Sequence, residues 1–217
     1  MKPGMKEGAL VLFQGDSITD SGRNFEVPDD LGAGYAAMIA EWCAASSPGL
    51  RLRFLNRGVG GDRTKDLKER WKRDCLELKP DWVSIFVGIN DCWRRYDSND
   101  PTSPGEFEAN YRDILVRTSE IPGVKPVLME PFVVPYPADR QAWREDLDPK
   151  IEIVHGLARE FGAKLVPLDA LFRKACRVKP PVWWAGDGVH PSTAGHMLIA
   201  HAWMETMGLV LPSDPAV

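Results

Sequence analysis

The sequence predicts an α/β fold in which a parallel sheet of five strands lies between helix layers. Three observations carry that expectation. Short apolar, β-prone runs recur along the chain, and segments with apolar residues at helical spacing separate them. One run, Asp81 to Gly88 (Trp82, Val83, Ile85, Phe86, Val87), is near-continuously apolar, as a parallel strand covered on both faces is. With 217 residues the chain fits one domain, 1–217. A domain of that size buries roughly 70% of the surface its unfolded form exposes and needs neither disulfide nor metal to hold it.

The first strand is Ala9 to Phe13, closed by the turn residues Gly15 and Asp16, and the Asp-, Asn-, Pro- and Gly-rich stretch Asp20 to Gly32 is a loop. Gly34 to Ser46 aligns Tyr35, Met38, Ile39, Trp42 and Cys43 on one helical face. Arg51 to Asn56 is the second strand and runs into Gly58, Gly60 and Gly61. In the helix from Thr64 to Leu78, Leu67, Trp71, Cys75 and Leu78 mark the core side, and the charge run Lys65, Lys68, Glu69, Lys72, Arg73 reads as a solvated face. The third strand, Asp81 to Gly88, leads into Asn90 and Asp91. A loop from Asp97 to Gly105 precedes an amphipathic helix carrying Phe107, Tyr111, Ile114 and Leu115. Val124 to Met129 is strand four. Pro131 to Pro137, with three prolines, has to be a loop. A long helix through Leu147, Ile151, Val154, Ala158 and Phe161 leads to strand five, Lys164 to Leu168. A shorter helix, Asp169 to Arg177, stops at Lys179-Pro180-Pro181; the loop Val182 to Pro191 and a last helix, Ser192 to Met207, follow, with Gly208 as its end signal.

Composition narrows the function classes. A net charge of −4 and a pI near 5.6 leave no basic excess for nucleic acid or an anionic membrane. The longest apolar-rich run, Trp82 to Ile89, is far below membrane-spanning length, and the stretch after Met1 to Gly8 is too short for a signal segment, so a cytoplasmic location is expected. Cys43, Cys75, Cys92 and Cys176 show no C-x-x-C spacing and read as reduced, mostly buried thiols. His196 and His201 lie five apart on the last helix, so they do not share a face as a metal pair would. Asp16, Asp20 and Asp62 lack a second carboxylate cluster or phosphate loop, and no metal or cofactor is expected.

Chemistry gathers where the strands end. Ser17 follows the first strand, at the sheet edge where open α/β folds place their crevice, and is a candidate nucleophile. Serine is barely ionised at neutral pH, so attack on an acyl carbon needs a base to take its proton. Asp187 and His190, three residues apart in Trp183-Trp184-Ala185-Gly186-Asp187-Gly188-Val189-His190-Pro191, can supply the base and its orienting carboxylate. A tetrahedral intermediate also needs donors: the glycine-rich loop after strand two offers backbone N–H groups and Asn90 a carboxamide. Each feature alone is a common turn device, whereas four of them converging on one sheet edge point to acyl transfer. Trp93, Arg94, Tyr96, Trp183 and Trp184 fall in loops expected to border the crevice, where aromatic rings can stack on a sugar face, and Asp16, beside the candidate nucleophile, is expected to face the substrate with Trp93, Arg94, Tyr96 and Trp184.

Gly15-Asp16-Ser17-Ile18, Gly61 within Asn56-Arg57-Gly58-Val59-Gly60-Gly61-Asp62, Gly88-Ile89-Asn90-Asp91 and Asp187-Gly188-Val189-His190-Pro191 together resemble the four blocks of the SGNH/GDSL hydrolase superfamily, in that family's order and across nearly the whole chain. The resemblance implies a three-layer α/β/α sandwich with a five-stranded parallel sheet, flavodoxin-like, and no cofactor. It implies Ser17 as nucleophile, His190 as general base and then acid, and Asp187 as its partner, with an oxyanion hole from the N–H of Ser17, the N–H of Gly61 and the side chain of Asn90. Gly60 or Gly61 is the block glycine; Gly61 is chosen because it lies five residues after Asn56, as in the family pattern. The absence of a Gly-x-Ser-x-Gly elbow argues against the other large α/β hydrolase fold.

Within the superfamily, Gly-Asp-Ser-Ile-Thr-Asp, Lys79 to Ile85, Gly88 to Arg94 and His190 to Met197 look most like the intracellular bacterial acetylxylan esterases. That resemblance implies removal of O-acetyl groups from a small-molecule or oligosaccharide ester through an acetyl-enzyme, by a homo-oligomer. One departure is Gly186 before Asp187, where those relatives carry a tryptophan; Trp183 and Trp184 stand nearby instead. The alternatives are a general short-chain carboxylesterase, a lysophospholipase or thioesterase, or a sugar-binding module without turnover. The long-acyl readings lack an extra apolar segment for a trough or lid, and the last is weakened by the presence of every catalytic residue.

Overall fold

The computed structural model describes residues 4–210. Five parallel strands, β1 (Leu10–Gly15), β2 (Arg53–Asn56), β3 (Trp82–Phe86), β4 (Lys125–Met129) and β5 (Lys164–Val166), form one sheet in the order β2-β1-β3-β4-β5. That is the flavodoxin-like doubly wound order, and its reversal point lies between β1 and β3. Side chains alternate across the central strands: Val11, Phe13, Trp82, Phe86, Val127 and Met129 belong to one apolar cluster, and Leu12, Val83, Ile85 and Leu128 to the other.

The helices are α1 (Ser17–Asp20), α2 (Tyr35–Ser46), α3 (Thr64–Asp74), α4 (Ile89–Asp97), α5 (Pro104–Thr118), α6 (Arg144–Glu160), α7 (Leu168–Val178), α8 (Pro181–Trp184) and α9 (Thr193–Thr206). On the first face α2 and α9 pack together over the sheet, and Trp203 of α9 donates its indole N–H to Ser84 Oγ of β3 at 2.6 Å. That bond satisfies the one hydroxyl in an otherwise apolar strand. Leu67 and Trp71 of α3 with Phe107, Tyr111 and Ile114 of α5 cover the second face.

Three differences from the sequence reading matter for the site. β1 runs two residues further than Phe13, because Gln14 and Gly15 stay in parallel register with Ile85 and Phe86. The second is α4. Asn90-Asp91 reads in sequence as a turn, yet Ile89, Cys92, Trp93 and Tyr96 keep the i, i+3, i+4, i+7 spacing of a helix, and the chain enters α4 directly from Gly88 at φ 128°. Trp93, Arg94 and Tyr96 therefore stand on a helix and not in a loop. Trp183 and Trp184, also assigned to a loop, form the short α8, after which an isolated bridge joins Ala185 to Pro191. All four cysteines are unpaired, and Cys43, Cys75 and Cys92 are buried.

Candidate active site

β1 delivers the turn that carries Ser17. Gly15 is the last strand residue because a Cβ there would lie 2.3 Å from Phe86 O and from Thr19 Oγ1, so only glycine lets the chain pass into α1. Asp16 caps that helix by accepting the Ile18 N–H at 3.0 Å, and Ser17 becomes its first residue. Asp16 is 1% exposed, so its carboxyl lies beneath the turn and not in the substrate-facing position expected of it. Burial pushes that carboxyl up to about 7, with the nearby Asp91 and Asp62 adding to the rise.

The loop before α9 brings the distant end of the chain to the same place. Ser17 Oγ lies 2.9 Å from His190 Nε2, and His190 Nδ1 lies 2.6 Å from Asp187 Oδ2. The other carboxylate oxygen, Oδ1, accepts the N–H groups of Val189 at 2.9 Å and His190 at 2.7 Å, which locks the Asp-x-x-His turn. Partial burial raises the Asp187 carboxyl, but the hydrogen bonds from the His190 ring and from these two amides outweigh it and hold the group below the usual carboxylate range. A carboxylate that stays ionised fixes Nδ1 as the protonated nitrogen, leaving Nε2 as the acceptor facing Ser17.

The donor side is built by β2 and β3. Asp62 N–H closes a turn on Val59 O at 3.2 Å, and Gly61 is its third residue at φ +85°. This is the type II geometry that calls for glycine, and it leaves the Gly61 N–H outside the closing bond. Gly60 lies toward the nucleophile, since a Cβ on it would sit 3.9 Å from Ser17 Cβ. Asn90, in the first turn of α4 and 3% exposed, donates through Nδ2 to Asp62 O at 3.1 Å, which ties the donor loop to α4 and leaves the second amide hydrogen free. Asp91 anchors the same turn by accepting from Thr64 Oγ1 at 2.7 Å and Thr64 N–H at 3.0 Å.

A family model described as the GDSL-like lipase/acylhydrolase family matches residues 13–198. The chain belongs to the GDSL-like lipase/acylhydrolase family. It is a carboxylic ester hydrolase by that membership. An acetylxylan esterase of Geobacillus stearothermophilus is 37% identical over 210 residues, covering 93% of this chain and 94% of its own length. A solved structure of a variant of Axe2, an acetyl xylan esterase from that organism, superposes with a TM-score of 0.90 at 34% identity, over 97% of this chain and 99% of the other. LAE5, an α/β hydrolase enzyme from the Lake Arreo metagenome, gives 0.88 at 32% identity, over 96% and 99%. Three further Axe2 structures are described as catalytic mutants, with alanine in place of a serine, an aspartate and a histidine.

In this GDSL-family hydrolase the residues expected to line the crevice separate into two groups. Trp93 lies tilted against the His190 ring, their centroids 5.8 Å apart, and Arg94 Nη2 would lie 3.9 Å from a Cβ on Gly61. Those two border the triad and the donor turn. Tyr96 instead stacks on Trp143 at 5.2 Å and donates to Ala142 O at 3.2 Å, while Trp184 packs against the core and accepts the Ser192 N–H on its carbonyl at 2.8 Å. Trp183 is 55% exposed, with the Lys179 ammonium 5.5 Å from its ring.

Sequence reasoning passed over several supports. Arg140 lies 4.2 Å over the Trp143 ring and 5.6 Å from that of Trp93, and its Nε donates to Asp187 O at 3.1 Å. It thus braces the Asp187 backbone and the Trp93 ring that packs on His190. The side-chain amide of Asn56 donates to Thr19 O at 2.6 Å and Leu31 O at 2.9 Å, joining the end of β2 to α1 and the loop beyond it. Arginines in a Pro-rich loop or a charged helix carry no local signal of such contacts. Among the described residues, no group of three or more His, Cys, Asp or Glu side chains is placed to hold a metal ion, and no helix is long and apolar enough to cross a membrane.

Proposed function

We propose that this hydrolase is a serine esterase that removes O-acetyl groups from carbohydrate, of the acetylxylan or xylo-oligosaccharide type, through an acetyl-enzyme. The observation that carries it is the unbroken hydrogen-bonded chain Ser17 Oγ, His190 Nε2, His190 Nδ1, Asp187 Oδ2, at 2.9 and 2.6 Å. The likeness to acetylxylan esterases supports the substrate class.

In this reading Ser17 Oγ forms a bond to the acetyl carbonyl carbon while its proton passes to His190 Nε2. The carbonyl π pair moves onto oxygen, and the Ser17 N–H, the Gly61 N–H and the free Asn90 amide hydrogen receive the developing charge. The tetrahedral intermediate collapses as His190 returns the proton to the departing sugar oxygen, and the sugar leaves as an alcohol. Water then adds to the acetyl-enzyme as His190 takes its proton, and the second tetrahedral intermediate collapses as His190 returns that proton to Ser17 Oγ, freeing the serine and releasing acetic acid, which ionises to acetate. Asp187 keeps the imidazole oriented and balances its charge without becoming protonated. Trp93 and Arg94 at the rim supply a ring and a guanidinium to a sugar bearing the ester. A homo-oligomeric, cytoplasmic enzyme completes the proposal, and light scattering on the purified chain tests the assembly.

The test compares acetate release from acetylated xylo-oligosaccharides with hydrolysis of acetyl and octanoyl esters. Acetyl preference and release from the oligosaccharide are expected, and Ser17→Ala should abolish both while retaining native circular dichroism. Turnover retained in Ser17→Ala removes Ser17 as nucleophile; octanoyl preference replaces the substrate class with a longer acyl ester.

A further inference from the structure

The charge run on α3 hides a side chain that does not face solvent. Arg70 is only 11% exposed, and its guanidinium reaches four acceptors on three separate segments. Its Nε donates to Asp62 Oδ2 at 2.7 Å, its Nη1 to Gln14 Oε1 at 2.9 Å and Asp74 Oδ2 at 3.1 Å, and its Nη2 to Gly15 O at 3.1 Å. Gly15 O belongs to the peptide that joins Gly15 to Asp16, two residues before Ser17 in the same turn. Asp62 immediately follows Gly61, and its carbonyl holds Asn90 Nδ2 at 3.1 Å. The three proposed oxyanion donors are therefore each within two residues or one hydrogen bond of a residue that Arg70 grips.

The geometry points to Arg70 as a positioning residue that sets the Ser17 turn, the Gly61 turn and Asn90 at their mutual spacing, an inference that rests on the esterase reading above. None of these four hydrogen bonds goes to a triad side chain or to the rim residues Trp93 and Arg94, so its action on the rate runs through where the donors stand. The physical warrant is the fork. A planar guanidinium with fixed N–H directions constrains several acceptors at once, whereas an ammonium offers a point charge without that registry. The surroundings favour a cation there: burial raises the Asp62 carboxyl above its ordinary range and Arg70 opposes that rise, so loss of the guanidinium leaves two acids, Asp62 and Asp74, facing each other with less compensation. Donor placement matters because oxyanion stabilisation is worth most when the donors already stand where the charge develops, and a displacement of about 1 Å costs on the order of 100-fold in rate.

The experiment uses Arg70→Lys, which keeps the charge, and Asp62→Asn, which keeps the size and the carbonyl that holds Asn90. Each is compared with wild type for kcat and KM on an acetyl ester, and for amide hydrogen exchange in residues 57–62. For Arg70→Lys the inference expects kcat lower by about 10- to 100-fold with KM within about twofold, together with faster exchange in 57–62. Asp62→Asn should shift kcat in the same direction by a smaller factor, and the double variant should lose less than the product of the single losses. A purely structural role would lower the melting temperature and leave kcat intact below it; kcat within twofold of wild type in folded Arg70→Lys, or unchanged exchange in 57–62, overturns the inference. An inactive wild type would overturn the esterase reading instead, while the exchange comparison still reports whether Arg70 holds the donor loop.

Discussion

Asn90 concentrates the residue-scale argument. One hydrogen of its carboxamide is committed to Asp62 O, so the group is held at its inner end while the other hydrogen is left for an oxyanion. Asn90→Ala removes that donor without touching the Ser17 to His190 hydrogen bond. The expected result is a fall in kcat of about 10²- to 10³-fold with little change in KM, measured on an acetyl ester. An unchanged kcat removes Asn90 from the proposed oxyanion hole. At this scale the sequence exposes the residues whose chemistry is local. Gly15-Asp16-Ser17 and Asp187-Gly188-Val189-His190 each close on themselves through short hydrogen bonds, Asp16 to Ile18 and Asp187 to Val189 and His190, so their spacing alone is informative. Arg70 and Arg140 stay hidden because their partners lie far along the chain. Arg70 binds Gln14 and Gly15, and Arg140 the carbonyl of Asp187, and no periodicity records such pairings.

Among the elements, the five strands and the longer helices are legible because each buries a continuous stripe or run, and the structure shifts most of their ends by a few residues. α4 is not, since Asn90-Asp91 imitates a turn start. Here the two side chains have other work, Asp91 binding Thr64 at the start of α3 and Asn90 binding Asp62, and the helix begins beneath them. α9 offers an energetic test of how the histidine-bearing end is held against the sheet. Ser84→Ala leaves the Trp203 indole N–H buried without its 2.6 Å partner, a loss of about 1–3 kcal/mol. In a chain of this size that lowers the melting temperature by roughly 2–4 °C per kcal/mol. Trp203→Phe combined with Ser84→Ala should cost less than the sum of the single changes, because the double variant leaves no orphaned donor or acceptor. Calorimetry on the three variants decides it: additivity within about 0.5 kcal/mol means the bond contributes no coupling.

For the molecule as a whole, three buried groups with large shifts shape how stability responds to pH between about 4 and 7; they do not all act in one direction, and the half-buried Asp62, also raised by burial, acts with the two acids among them. His196 is lowered to about 4 by burial, with His190 nearby adding to the effect; its Nδ1 accepts the Tyr35 N–H at 3.2 Å, which a protonated ring cannot do. The unfolded chain takes up this proton near pH 6.5 and the folded one only near 4, so His196 lowers stability as pH falls through that window. Asp16, raised by burial to about 7, and Asp91, raised by burial to about 6 against the hydrogen bonds from Thr64, act oppositely. The folded state keeps these two protons after the unfolded state has released them near 3.8, so stability falls as pH rises. Two carboxyls against one imidazole leave a net slope of about one proton up to pH 6; from 6 to 6.5 Asp16 and His196 offset each other, and above 6.5 Asp16 alone acts up to about 7. One proton corresponds to about 1.4 kcal/mol per pH unit, so thermal melts should show the protein more stable at pH 5 than at pH 7 by about 2 kcal/mol. Asp187, Asp74 and Asp81 are lowered from their ordinary values, so their contribution lies below about pH 4 and does not enter this window. His196→Asn should steepen the decline between pH 4 and 6, and Asp91→Asn should flatten it. A melting temperature that climbs from pH 5 to pH 7 in the wild type would show that the buried carboxyls ionise at little cost, and with it the electrostatic account of the floor beneath Ser17 would fail.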